Sequence, residues 1–284
     1  MRKFTKLILA MAVPVAAVLA GGNANAGTMI TDWNYENLFG FGSSAPASVT
    51  GSLNNGFTNF TIGSLDANPS SGDPTKLSWG VDAGFGLSSL TLNGNNGIGR
   101  TSGSVVTNGP FVFDVSLTHN NFPISGETLT NALLVGSLML ESTAPIAGIP
   151  FGPITGHFAI KFKETPNIAG TCADGLVLGI PCPDIFVLDP AGSSPLTNLF
   201  LATVDGFNYF LDLDLAGLTS VGPEACAAVG QGPGCIGFVT PENLSTTVKL
   251  SFDIRATPVP EPGSLALLGL GLAGLGFGRI RRRK

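Results

Sequence analysis

The 284-residue chain carries 39 Gly and 20 Pro, 44% hydrophobic residues and only 12% charged ones, with a mean hydropathy of +0.36. So low a charge excludes a charge-driven disordered chain, and so much Gly and Pro argues against a helical bundle. The net charge of -5 hides an asymmetry: three basic residues lie within Arg2–Lys6 and five within Arg279–Lys284, whereas residues 27–259 hold 6 basic and 18 acidic side chains, a body that repels nucleic acid.

Arg2, Lys3 and Lys6 precede an apolar run from Leu7 to Ala20, and Ala24-Asn25-Ala26 follows it. A basic start, a short apolar stretch and paired small residues make a Sec-type signal peptide, with Ala24 and Ala26 in the shallow pockets of signal peptidase and cleavage before Gly27. The run is short for a membrane span. Sec machinery and signal peptidase are therefore the first partners expected.

From Gly27 to Thr257 the dominant pattern has period two, as half-buried strands require. Phe111, Phe113, Val115 and Leu117 alternate with Asp114, Ser116 and Thr118. Phe158, Ile160 and Phe162 alternate with His157, Lys161 and Lys163. Further on, Tyr209, Leu211, Leu213 and Leu215 frame Asp212 and Asp214, and Val248, Leu250, Phe252 and Ile254 frame Lys249, Ser251 and Asp253. Turn residues punctuate the runs at Asn54-Asn55-Gly56, Asn93–Gly97, Asn108-Gly109-Pro110, Asp189–Gly192 and Asp205-Gly206. The expected fold is all-β: an antiparallel, jelly-roll-like β-sandwich in one domain over 27–256, after a signal peptide at 1–26 and before a tail at 257–284.

Chemistry-bearing residues are sparse. His119 and His157 are the two histidines. Thr118, His119 and Asn121 sit where a strand runs into the turn-like Asn120–Pro123; they either fix the turn by hydrogen bonds or form a ligand loop for a sugar or, with a carboxylate, a metal. Asp212 and Asp214 share one face of a strand near Asp205, a weak calcium pattern that an ordinary solvated face also produces. Asp174, Asp184 and Asp189 form a second loose acidic group with the same ambiguity. No nucleophile elbow or His-Glu-x-x-His helix is present, and no carboxylate pair stands out for glycoside hydrolysis, so no catalytic residue, resident metal or cofactor is assigned and enzymatic turnover is not expected. A cleft lined by Trp33, Trp79 or Tyr209 would favour sugar binding.

Cys172, Cys182, Cys226 and Cys235 lie in a chain read as exported, where disulfides are the default. Of three connectivities, Cys172–Cys182 with Cys226–Cys235 is favoured because each closes a short Gly- and Pro-containing loop. A four-thiolate zinc site would need closer spacing.

The tail reads Val259-Pro260-Glu261-Pro262-Gly263, then an apolar stretch from Ser264 to Gly278, then Arg279, Arg281, Arg282, Arg283 and Lys284. Pro260 and Pro262 hold Glu261 in an extended linker. The stretch is a marginal single transmembrane helix of about 22 Å at ~1.5 Å per residue, and the basic stop keeps its end cytoplasmic. Motif, helix and basic end in this order resemble the PEP-CTERM sorting signal of Gram-negative bacteria. That resemblance implies recognition by exosortase, an integral-membrane cysteine transpeptidase-like enzyme of exopolysaccharide producers.

Four blocks of the body resemble the THxN family of PEP-CTERM proteins: Ser78-Trp79-Gly80 with Ser88-Ser89-Leu90, Leu117–Ile124 containing Thr118-His119-Asn120-Asn121, Cys182–Leu188, and Gly237–Glu242. This resemblance adds an architecture and a compartment, not a reaction. The expected role is a structural or interaction component of the outer surface or exopolysaccharide matrix. A carbohydrate- or calcium-binding module and a secreted hydrolase are the alternatives.

Overall fold

A computed structural model describes residues 27–46, 48–52, 74–95 and 99–259, together with Gly263, Leu270 and Gly271. The leader with Ala24 and Ala26, the Asn54–Gly56 turn, Pro260–Pro262 and the basic residues from Arg279 to Lys284 lie outside the described residues. No helix among the described residues is long and apolar enough to cross a membrane; most of Ser264–Gly278 is not among them.

The period-two runs become strands. In chain order they are β1 (Asp32–Ala45), β2 (Thr50–Ser52), β3 (Lys76–Trp79), β4 (Val81–Asp82), β5 (Ser88–Gly94) and β6 (Arg100–Val106). Next come β7 (Val112–Asn120), β8 (Ile124–Ser125), β9 (Asn131–Ala144), β10 (Pro150–Lys163), β11 (Ala169–Thr171) and β12 (Val177–Pro181). The last six are β13 (Asp184–Asp189), β14 (Leu199–Val204), β15 (Phe207–Ala216), β16 (Thr219–Ser220), β17 (Ile236–Thr240) and β18 (Ser245–Pro258), and a six-residue helix, α1 (Pro223–Ala228), lies between β16 and β17.

Two seven-stranded antiparallel sheets dominate the fold, ordered β16-β17-β13-β10-β9-β1-β6 and β14-β15-β18-β7-β5-β3-β2. They face each other over a shared core. Phe39 and Phe41 of β1 and Phe158, Ile160 and Phe162 of β10 meet Leu90 and Leu92 of β5, Leu117 of β7 and Val248 of β18. A second part of the core joins Trp33, Tyr35, Leu138 and Leu140 to Tyr209, Leu211, Phe252 and Ile254. Removing these side chains from water is the main drive for the sheets to stack.

One strand departs from the alternation its sequence predicts. Leu250 pairs with Val115 but Ser251 pairs with Phe113, so β7 carries an extra residue, Asp114. Such a bulge reverses side-chain parity. Val115 and Leu117 face the core as expected, whereas Phe111 and Phe113 point out, 46% and 37% exposed, and Asp114 turns inward at 1%.

Both ends of the described body meet at one pole. Thr28 donates its backbone N–H to the Asp205 carboxylate at 2.6 Å, and Val259 donates its own to the Gly206 carbonyl at 2.8 Å. Gly27 is required there by close approach: a Cβ would fall 1.5 Å from the Asp205 carbonyl oxygen. At the opposite pole, β18 begins at Ser245 beside Asn120, and the Asn121 N–H bonds the Leu244 carbonyl.

Candidate functional site

The four blocks that carry the body's family resemblance converge at that second pole, around a buried polar cluster. Trp79 ends β3, His119 lies in β7, Asp184 opens β13 and Glu242 follows β17. Glu164, immediately after β10, completes the group. The cluster therefore draws on both sheets.

His119 is placed in a strand, not in a turn, and is 0% exposed. The β7 register puts it opposite Thr246 of β18 and Leu90 of β5, and the alternation after the bulge aims it inward. Its ring stacks on Trp79 at 5.8 Å between centroids with 10° between planes, and meets Phe162 edge-on at 5.0 Å. Neither imidazole nitrogen has a hydrogen-bond partner, and Nε2 stands 3.6 Å from Asp184 Oδ2, beyond hydrogen-bond length. Burial pushes the His119 pKa down to about 3, so the ring is neutral.

The carboxyls hold the rest together. Trp79 Nε1 donates to Glu164 Oε2 at 2.8 Å, and the Thr165 N–H donates to Asp184 Oδ1 at 2.9 Å. Glu164 Oε1 and Asp184 Oδ2, the remaining oxygens, are buried without a hydrogen-bond partner. Burial is the first cause that raises the pKa of each; the Glu242 charge adds to the rise of Glu164, and the Glu164 and Glu242 charges add to that of Asp184. Burial raises Glu242 as well. Among the described residues no Lys or Arg makes an ion pair with any of the three.

The three residues of the expected ligand loop divide. Thr118 points the other way from His119 and exchanges a 2.9 Å hydroxyl hydrogen bond with Thr247. Asn121 is buried and donates from Nδ2 to the Thr240 carbonyl at 2.9 Å, tying β7's end to β17. His157 is exposed and contacts the Ser194 hydroxyl, outside the cluster. Trp33, Trp79 and Tyr209 are 1%, 2% and 1% exposed, so none offers a face to a sugar.

Of the acids read as calcium candidates, Asp214 is exposed on β15 and the others are engaged elsewhere. Arg255 Nε donates to Asp212 Oδ2 at 3.0 Å and the Asn198 N–H donates to its other oxygen; these outweigh partial burial and lower its pKa. Asp205 accepts from Thr28. Asp189 caps the short Pro190–Gly192 turn, Asp174 accepts from the Leu176 N–H, and Asp184 is in the cluster, so the second acidic group is dispersed. Among the described residues no set of three or more His, Cys, Asp or Glu is placed to hold a metal ion.

Two disulfides brace the periphery, Cys172–Cys182 and Cys226–Cys235, and no described cysteine is free. The pairing is the one favoured from loop length. Cys182 lies two residues before Asp184, and its carbonyl accepts from the Thr165 hydroxyl at 2.8 Å, so the first bridge buttresses the cluster.

Sequence reasoning missed Glu164 and the second buried acid, Asp114. Asn37 Nδ2 donates to Asp114 Oδ2 at 2.6 Å, and burial pushes Asp114 up to about 8. Both acids border long alternating runs, Glu164 just past a strand end and Asp114 at a bulge where strict alternation would have turned it outward.

Residues 258–283 match the PEP-CTERM protein-sorting motif. The match begins at Pro258, the last residue of β18, so the sorting signal follows the sandwich without a spacer domain. A chain that carries this motif is an exported protein with a C-terminal sorting signal, processed by an exosortase-like membrane enzyme. No curated protein matches the chain.

Proposed function

We propose that this chain is a non-enzymatic surface or matrix protein of the THxN type. A Sec leader ending at Ala26 takes it out of the cytoplasm of a Gram-negative cell. A single transmembrane helix over Ser264–Gly278 then holds it until an exosortase-like enzyme acts at Pro260-Glu261-Pro262. The jelly-roll-like sandwich serves a structural or interaction role at the outer surface or in the exopolysaccharide matrix. The observation that carries this reading is the sorting motif directly after the last strand. The meeting of all four THxN-like blocks at one cluster supports the family assignment, and the complete burial of His119 supports a structural over a catalytic role for that motif.

Fractionation tests it. In cells with the sorting enzyme, mature protein is expected in the surface or matrix fraction; without the enzyme, or with Glu261→Ala, precursor is expected to stay in the inner membrane while the sandwich folds. Glu261 is the only charge between Arg255 and Arg279, so it offers the one charge-assisted contact in the linker. Processing of the Glu261→Ala chain at the wild-type rate would reduce the tail to a plain anchor.

A further inference from the structure

The extra residue in β7 carries a carboxyl into the middle of the core. Asp114 meets Asn37 of β1 there, and the 2.6 Å hydrogen bond from Asn37 Nδ2 to Asp114 Oδ2 crosses from one sheet to the other. The two side chains are nearly sealed, Asp114 at 1% and Asn37 at 5% exposed. Each keeps one oxygen, Asp114 Oδ1 and Asn37 Oδ1, with no hydrogen-bond partner among the described residues. Two hydroxyls on neighbouring strands are already engaged: Thr101 Oγ1 donates to the Asp114 main-chain carbonyl, and the Tyr35 hydroxyl donates to the Phe113 carbonyl at 3.1 Å. A buried acceptor left in this way bears its full desolvation penalty.

Asn37 and Asp114 line one cavity of about 40 Å³ between the sheets, walled otherwise mainly by apolar side chains such as Phe39, Leu138, Leu250 and Phe252. A water molecule takes about 30 Å³ in the liquid and, in a protein interior, needs at least two polar partners. The chamber offers that room and those two partners, and it is too small for a sugar ring. A calcium ion asks for about six to eight oxygens, and an ammonium group would keep an N–H unpaired between two acceptors. We propose that the β7 bulge builds an internal hydration site, in which one water molecule hydrogen-bonds at once to Asn37 Oδ1 of one sheet and Asp114 Oδ1 of the other.

The bonding closes in either protonation state of Asp114. Beside a carboxylate, the water donates one hydrogen to each oxygen. Beside the carboxylic acid, which burial favours, Oδ1–H donates to the water and the water donates to Asn37 Oδ1. Amide, carboxyl and water then form a closed ring that ties β1 to β7 through the core. The reversal of parity in β7 thereby has a purpose: without the extra residue Asp114 would face solvent, and Asn37 would be buried with no partner across the gap.

The test uses exported protein with both disulfides intact. Water-selective NMR should show cross-relaxation from a long-lived water to the Asn37 side-chain amide, and a crystal structure should show a solvent peak within hydrogen-bond distance of Asn37 Oδ1 and Asp114 Oδ1. Asp114→Asn, which keeps a polar group at that point, should retain the NMR signal. The double variant Asn37→Leu/Asp114→Leu should lose the solvent peak and unfold at a urea midpoint at or above the wild type, because both partners have become apolar. Asp114→Leu alone strands Asn37 and should unfold at a lower midpoint. If the double variant does not accumulate, the wild-type and Asp114→Asn signals decide. The proposal is overturned if the wild-type chamber is dry, if its density is that of a metal ion or a larger molecule, if Asp114→Asn loses the NMR signal, or if the double variant keeps the solvent peak.

Discussion

The indole of Trp79 and the imidazole of His119 lie parallel, 10° apart in plane, although forty residues separate them, and the imidazole keeps both nitrogens unpaired. An imidazole held this way acts as a flat spacer between aromatic rings. Its polar atoms cost desolvation without return.

His119→Leu should therefore lie within about 1 kcal/mol of the wild type in urea unfolding at pH 7.5, whereas His119→Ala, which opens a cavity, should lose about 2–4 kcal/mol. Because His119 titrates near 3 when folded and near 6.5 when unfolded, it contributes stability above pH 6.5 that is lost as pH falls toward 3. The leucine variant should lose that acid-side decline. A larger loss in His119→Leu than in His119→Ala would mean that the imidazole has a polar role.

Asp114 works in the opposite direction. Its folded pKa of about 8 lies above the ordinary carboxylate value, so stability is complete below pH 4 and is lost as pH rises toward 8. Asp114→Asn should flatten the slope of unfolding free energy over that interval by up to about 1.4 kcal/mol per pH unit, the value of one proton. Denaturant midpoints at unit pH steps read this directly; equal slopes in the two proteins would mean Asp114 ionises freely in the fold.

The two bridges should be unequal in effect. Each closes a loop of about ten residues, for which the chain-entropy expectation is on the order of 2–3 kcal/mol. The Cys172→Ser/Cys182→Ser double variant should also raise hydrogen exchange at Thr165, because Cys182 holds the segment that presents Asp184. The Cys226→Ser/Cys235→Ser pair should leave Thr165 unchanged while loosening α1. Non-reducing peptide mapping that links Cys172 to Cys226 would refute the assignment.

N-terminal sequencing of exported protein should begin at Gly27. Placing Ala there leaves the small residues at 24 and 26 that a signal peptidase reads, but its Cβ would collide with the Asp205 carbonyl. Gly27→Ala should therefore be cut normally and then show loss of amide protection at Thr28. Unchanged protection would mean that the strand end adjusts without cost.

Much of the sandwich was legible because burial on one face of a strand imposes period two: Phe158, Ile160 and Phe162 are all buried, as are Val248, Leu250, Phe252 and Ile254. Parity is also what failed. One extra residue in β7 sent Phe111 and Phe113 to solvent and Asp114 to the core, and no local pattern around them marks the bulge. The polar cluster was legible only as four separated blocks. Strand order, which brings β3, β7, β13 and β17 to one pole, is set by long-range pairing and not by any local spacing. Cysteine pairing, in contrast, followed from short loops.

Strand β18 has a mechanical consequence. It is an interior strand, paired with β15 from Phe207↔Pro258 to Ala216↔Lys249 and with β7 from Val112↔Phe252 to Asn120↔Ser245, and the sorting tail continues from its last residue. Tension on the tail pulls along the strand axis, so the hydrogen bonds to both neighbours are loaded together in shear and cannot peel one at a time. At ~3.3 Å per residue the strand spans about 45 Å, which passes force from the tether through the length of the sandwich to the far pole. The hairpin β11–β12, which lies outside both main sheets, is off this line of force.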